Sequence, residues 1–372
     1  MCPTQILDLT HDPPEARLSR RSIMNSVIVL IGMIVPTFIR NPAFNHWLWL
    51  PAIYVGIVVH ELGHVVSAQF AGIQAGGIGV GGLTIFKSGR RWRFGFEFAR
   101  LFGGVFIPLP ARSVSRPAQY GWMVAGGPLA TVLFAAIVEI AVLRFGVGAL
   151  GWRSSLFWAD LMLLAFVLLP ERSSDAANLF LLWRDPIQSR SRIAMLQIHA
   201  ENVAGVQPRA WNPWIFEEML RISPSMPEYF YCQLLAFCRR RDEGKTQEAL
   251  GHLESALSAS AESSNALRQL CFVEAACACA LVHKNIEAAR TWLQRAQHLH
   301  KPESNDLAEA AIAVCERRYD DALRLYGSAR DRLVRARLDS GIARFEVRKI
   351  VEYLCKCEAA LGRNARAVGR SA

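Results

Sequence analysis

The sequence predicts a mainly α-helical protein: a polytopic membrane half carrying a small β-hairpin or sheet, followed by a soluble helical half. Three observations lead there. The 52% hydrophobic content is high beside 20% charged residues, and it is spread unevenly. Nearly all the long uncharged runs fall in residues 23–170, whereas 185–372 carries the mixed charge of an ordinary soluble segment. The basic residues near the apolar runs gather mostly in one loop, the asymmetry that fixes orientation in a bilayer.

Residues 1–22 form a polar tail rather than a signal peptide, since Asp8, Asp12 and Glu15 interrupt it and no cleavage site follows the first apolar run. Crossing a bilayer core takes about 20 helical residues. Four segments qualify: 23–39, then Trp47 to Phe70, then 120–143, and a shorter one over 155–170 that Asp160 interrupts. Arg17, Arg20 and Arg21 precede the first. The loop from Gly72 to Ala118 holds Lys87, Arg90, Arg91, Arg93, Arg100, Arg112 and Arg116 against Glu97. Opposite loops offer only Arg40, Arg144 and Arg153, so both termini and the long loop are expected in the cytoplasm, around an integral, multi-pass membrane domain.

Within that long loop, Ile78, Val80, Leu83 and Ile85, then Trp92, Phe94, Phe96 and Phe98, alternate with glycine or polar residues, as strands do. Lys87-Ser88-Gly89-Arg90 reads as the turn. Such a sheet either presents an edge to an extended peptide or packs against headgroups.

Beyond Pro186 the pattern turns helical. Ala249/Leu253/Ala256, Ala289/Leu293/Ala296 and Ala322/Tyr326/Ala329 share one spacing, and their starts lie 40 residues apart (249 to 289) and then 33 (289 to 322). The second interval is near the roughly 34-residue period of tetratricopeptide repeats. Pro224, Pro227 and Pro302 are expected breaks. Eight of the nine cysteines lie in this half, in Ala- and Leu-rich helical contexts that suit reduced, buried thiols better than a disulfide framework. The net charge of +10 comes with no nucleic-acid-binding motif, so nucleic acid is not an expected partner.

The densest chemical signal is His60-Glu61-Leu62-Gly63-His64. Residues four apart on a helix share a face, so both imidazoles can reach one zinc ion. Glu61 beside them suits a general base acting on water. Two histidines and a glutamate within an apolar span are costly to desolvate, which makes function the default reading. Catalytic zinc takes three protein ligands and keeps one position open. The candidates for the third are Glu139, Asp160, Glu171 and Asp175. The expected topology sets Glu139 and Asp160 away from His64, and it brings Asp175, just past Pro170, to the same depth.

These residues make the chain resemble the site-2 protease family of intramembrane zinc metalloproteases. That family pairs HExxH in one span with Asn-x-x-Pro…Asp-Gly in a later one. Pro170 to Asp175 keeps the spacing, Gly126-Gly127-Pro128-Leu129-Ala130 is similar to the segment between, and Gly103, Gly104 and Pro108 resemble its membrane-associated hairpin. The likeness is expected over about 47–184. It implies one Zn2+ per chain held by His60, His64 and Asp175, with Glu61 activating a zinc-bound water to cleave peptide bonds in membrane-embedded or membrane-adjacent proteins. Gly76, Gly77, Gly127, Pro128 and Asn178 are the expected substrate contacts. Val167, Ala176 and Thr131 depart from the family, standing where Asn, Gly and Asn are usual.

The expected organisation is a cytoplasmic tail (1–22), a metalloprotease domain (23–184) and a cytoplasmic, tetratricopeptide-like helical domain (185–372) that binds a protein partner or regulates the protease. The departures leave open a non-catalytic membrane adaptor of the same fold. A metal transporter or sensor using the same histidines is a third reading, against which stands the lack of a second set of intramembrane ligands.

Overall fold

A computed structural model describes residues 46–88, 91–96, 103–110, 117–145, 150–168, 174–260, 263, 265–299, 305–335 and 340–368. The expected tail 1–22 and first span 23–39, together with Arg90, Phe98, Pro170, Glu171 and Pro302, lie outside them. The described chain is mainly helical with one small antiparallel sheet. It divides into two compact units, one running to Ala200 and including Glu217–Arg221, the other made of Glu201–Phe216 and the residues from Ile222 onward.

In the first unit, helix α1 (His46–Phe70) leads into strands β1 (Ile73–Val80), β2 (Leu83–Ser88), β3 (Arg91–Phe96) and β4 (Gly104–Pro110). Helices α2 (Pro117–Phe145), α3 (Leu150–Leu168), α4 (Asp175–Arg184) and α5 (Pro186–Val203) follow. Where α1 crosses α2, a Cβ on Gly63 would strike the Gly126 carbonyl and the Ala130 methyl. Small residues let the two backbones approach closely there, as in membrane helix pairs. Gly56 lies on the side of α1 that meets α3, where a Cβ on it would lie 2.8 Å from Asp160 Oδ1.

The polarity of this unit is the reverse of a soluble protein's. His60, Glu61, His64, Thr131, Ser155 and Asp160 are buried, whereas Val58, Leu62, Val66, Leu133, Ile137 and Leu161 face outward. Only a lipid surround makes such an exterior inexpensive. Among the described residues two helices are long and apolar enough to cross a bilayer, over Leu50–Phe70 and Pro117–Ala141. In α3 the apolar stretch is only Ser155–Ala165 and the first expected span lies outside the described residues, so two of the four expected spans are seen here.

The sheet order is β3-β2-β1-β4, antiparallel throughout. Gly81 and Gly82, at φ +61° and +82°, make the two-residue turn between β1 and β2. Two consecutive positive φ angles match the right-handed twist of the flanking strands. Leu83 pairs with Phe96, Ile85 with Phe94 and Lys87 with Trp92. One face of the β2–β3 hairpin is therefore apolar and exposed, with Phe94 at 83%. A β-bulge sits between Ala75 and Gly77.

The second unit is a run of helices: α7 (Tyr229–Asp242), α8 (Thr246–Ser258), α9 (Asn265–Leu281), α10 (Ile286–Gln297), α11 (Asp306–Cys315), α12 (Tyr319–Arg335) and α13 (Gly341–Val368), after the short α6 (Pro213–Met219) that straddles the boundary. Sequence neighbours pack on one another, with α9 also against α11. The three alanine-flanked motifs face the core: Leu253, Ala256, Ala289, Ala296 and Ala322 are fully buried and Tyr326 nearly so. The turns of the three hairpins repeat as well. Each contains one positive-φ residue, Gly244, Lys284 and Arg317, spaced 40 (244 to 284) and 33 (284 to 317). Pro224 and Pro227 fall between α6 and α7, as breaks should. Of the eight cysteines, Cys232, Cys238, Cys271, Cys279 and Cys357 are buried and Cys355 is exposed.

Candidate metal centre

His60 and His64 stand one turn apart on α1, their rings edge to face with centroids 4.8 Å apart. Asp175 comes from α4. Its Oδ2 lies 3.1 Å from His60 Nε2 and 3.2 Å from His64 Nε2, and the two Nε2 atoms are 3.2 Å apart. Among the described residues these form the one group of potential metal-ligating side chains, with one donor atom from each, all within 4.8 Å of one another.

Each ligand is held from behind. Asp175 opens α4, and the preceding Ser174 caps that helix by accepting from the Ala177 N–H at 3.2 Å. A helix N-terminus favours a carboxylate, so the cap sets both position and charge. His64 Nδ1 lies 2.9 Å from the Met123 carbonyl. A carbonyl only accepts, so Nδ1 carries a proton and Nε2 is the nitrogen turned toward Asp175 and His60. His60 Nδ1 is 3.0 Å from the Thr131 hydroxyl. Gly127 makes room for both rings, because a Cβ there would meet His64 Cε1 and Nε2 and His60 Cε1.

Glu61 lies on the sheet side. Its carboxyl group packs on Gly104 of β4, where a Cβ would overlap it. Its Oε2 is buried with no hydrogen-bond partner among the described residues. An unsatisfied carboxylate oxygen is costly, and here it lies beside the ligand cluster. Phe106, two residues along β4, stacks on His64 with ring centroids 6.1 Å apart and planes at 14°. The donor set of two imidazole nitrogens and one carboxylate oxygen fits zinc with a fourth position left open. The free Oε2 is what a water-activating base would present.

Among the other expected site residues, Gly127 lies on α2 at the centre, and Pro128 is the next residue of the same helix. Gly76 and Gly77 do not join it. They sit on β1, an interior strand flanked by β2 and β4, and a Cβ on Gly77 would strike Ile85 O and Phe86. Pairing of a substrate strand at these glycines is therefore corrected: among the described residues the open edges are β3 and β4. Asn178 turns elsewhere too, its Oδ1 accepting from Arg192 of α5. Asp160 packs against Gly56, one turn before His60, and neither of its oxygens has a hydrogen-bond partner among the described residues.

Sequence reasoning passed over Thr131 as a mere departure, placed Gly104 in a hairpin without tying it to the centre, and missed Met123 and Phe106. Met123 acts through its backbone, which no residue pattern marks. Gly104 and Phe106 approach α1 only through the sheet.

The model of Peptidase family M50 matches residues 49–310. The match runs past the expected limit near residue 184 and into the helical unit as far as α11, which corrects the narrower extent. No curated protein and no solved structure matches the chain.

Proposed function

The chain belongs to peptidase family M50, and from that premise we propose that it is an intramembrane zinc metalloprotease hydrolysing peptide bonds of membrane-embedded or membrane-adjacent proteins. One observation carries the reading. The His60, His64 and Asp175 donors converge inside helices with apolar exteriors, beside a Glu61 oxygen that has no hydrogen-bond partner among the described residues.

His60, His64 and Asp175 would hold one zinc ion, which when bound polarises a scissile carbonyl and brings the pKa of water down to about 7. Glu61 takes the proton of the attacking water and returns it to the leaving amine. Its packing on Gly104 keeps the carboxylate at the ligand cluster without tying up Oε2. Phe106 and the α1–α2 crossing exclude bulk water, which strengthens these interactions. A substrate helix must unwind to expose a carbonyl. The open edge of β4, which carries Gly104 and Phe106, is where an extended segment would add as a strand.

We take the helical unit to be a tetratricopeptide-like module that recruits or regulates, on the strength of its small-residue seams and repeating hairpin turns. The further reading is a division into tail, protease and helical domains near residues 22 and 184, with more than two spans and both termini in the cytoplasm. It rests on the apolar runs and the basic loop.

The test is zinc content and cleavage together, in full-length protein purified in detergent. Wild type should carry about one zinc per chain, and Asp175→Ala should lose it. Glu61→Ala should keep the zinc and abolish cleavage of single-span transmembrane peptides. A Glu61→Ala variant with full activity in cells would turn the assignment to the non-catalytic adaptor.

A further inference from the structure

The two histidines are oriented by different means. His64 leans on a backbone carbonyl, which can only accept. His60 leans on a hydroxyl, which can donate or accept, so the polarity of that contact decides which His60 nitrogen carries the proton. The Thr131 O–H donates to the Gly127 carbonyl, one turn back on α2, at 3.1 Å. With its single proton spent there, Oγ1 meets His60 Nδ1 at 3.0 Å only as an acceptor. Nδ1 then carries a proton, and Nε2 is the His60 nitrogen that faces Asp175 Oδ2 at 3.1 Å and His64 Nε2 at 3.2 Å. Thr131 is buried, at 2% exposure, so bulk water does not compete for either contact. We propose that Thr131 is the positioning residue that fixes the His60 tautomer and ring angle, through a two-bond relay ending on the Gly127 carbonyl. The same carbonyl belongs to the residue whose missing side chain makes room for both rings, so one stretch of α2 sets both the space for His60 and its protonation pattern. The proposal rests on the reading of His60 as a metal ligand.

Partners of this kind orient metal-binding histidines, and their loss typically costs 10–100-fold in affinity. Thr131→Val keeps the shape and removes the hydroxyl, whereas Thr131→Ser keeps the hydroxyl and removes a methyl. Zinc affinity of the full-length protein in detergent is read by competition with a chromophoric chelator. The His60 Nδ1–H is read from its exchange-protected 1H–15N signal in the zinc-loaded protein. Thr131→Val should bind zinc about 10–100-fold more weakly and lose that protected signal. Thr131→Ser should stay within about threefold of wild type and keep it. Wild-type affinity and a wild-type Nδ1–H signal in Thr131→Val would overturn the proposal, and so would equal losses in both variants, which would mean packing alone. His60→Ala separates the premise: if it binds zinc as wild type does, the metal centre itself has been misassigned and the proposal falls with it.

Discussion

Alanine at position 127 would place a Cβ 2.6 Å from His64 Cε1 and 2.7 Å from His60 Cε1. Carbon atoms in contact settle about 3.5–4.0 Å apart, so something must give by about 1 Å. Moving α2 outward would open the Gly63–Gly126 crossing and stretch the hydrogen bonds that the two rings donate to Thr131 and Met123. The rings are therefore the softer part, and their Nε2 atoms move with them. Overpacking of this size costs about 1–3 kcal/mol, and if the rings bear it, zinc binding weakens about 10- to 100-fold. Turnover should fall further, by about 100-fold for a misplacement near 1 Å. The assay is a competitive zinc titration of Gly127→Ala in detergent, with a melting curve to confirm the fold. Wild-type zinc affinity in a normally melting variant would refute the reasoning, because the rings could then not be seated against α2 as described.

Glu61→Gln should retain zinc and lower cleavage by about 10²–10⁴-fold, the usual worth of a general base; activity within tenfold of wild type would remove Glu61 from that role. In the helical unit, burial pushes the Glu346 carboxyl up to about 7, against the pull of Arg241 at 3.0 Å. The folded pKa then lies above the unfolded one, so the contribution of Glu346 is complete below about pH 4.5 and fades as pH rises through about 7. The loss is at most about 3 kcal/mol, and Glu346→Gln should flatten the fall of melting temperature with pH over that window; an unchanged slope would contradict it. Lys284 and Arg317 occupy left-handed backbone, at φ +57° and +59°, which costs a side-chain-bearing residue about 1–2 kcal/mol. Glycine at either turn should raise stability by about 0.5–1 kcal/mol net of its own entropy cost, and a lower melting point would show the turns to be held otherwise.

Much of the fold and the centre was legible because it is local. The i, i+4 histidines share a face by helix geometry alone, and α1 and α2 follow the apolar runs closely. The 40- and 33-residue intervals between alanine motifs recur as the intervals between hairpin turns, since each repeat is one helix–turn–helix unit. Asp175 was accessible through depth: an inward-running span delivers the residue after it to the level of His64. The sheet was only half legible. Alternation marks strands, but it does not say which strand lies inside, and so Gly76 and Gly77 were expected to pair with a substrate, whereas β1 has a neighbour on each side. The contacts of Gly104, Phe106 and Thr131 join elements far apart in sequence and leave no periodic trace.

The three departures from the family pattern do not weigh equally. Ala176 stands where glycine is usual, yet it is the second residue of a regular helix whose cap is Ser174. No positive φ is needed there, and alanine is the best helix former, so Asp175 reaches the histidines without the glycine. Thr131 stands where asparagine is usual, and its hydroxyl supplies both an acceptor to His60 and a donor to Gly127. Nothing in the structure explains Val167 in place of asparagine, on the last turn of α3. A loss of metal binding should therefore not be sought in residue 176. If catalysis is impaired relative to the family, the missing amide at 167 is the place to look, and Val167→Asn should raise turnover while leaving zinc affinity unchanged. The opposite outcome, tighter zinc with unaltered turnover, would move that amide from the substrate to the ligand shell.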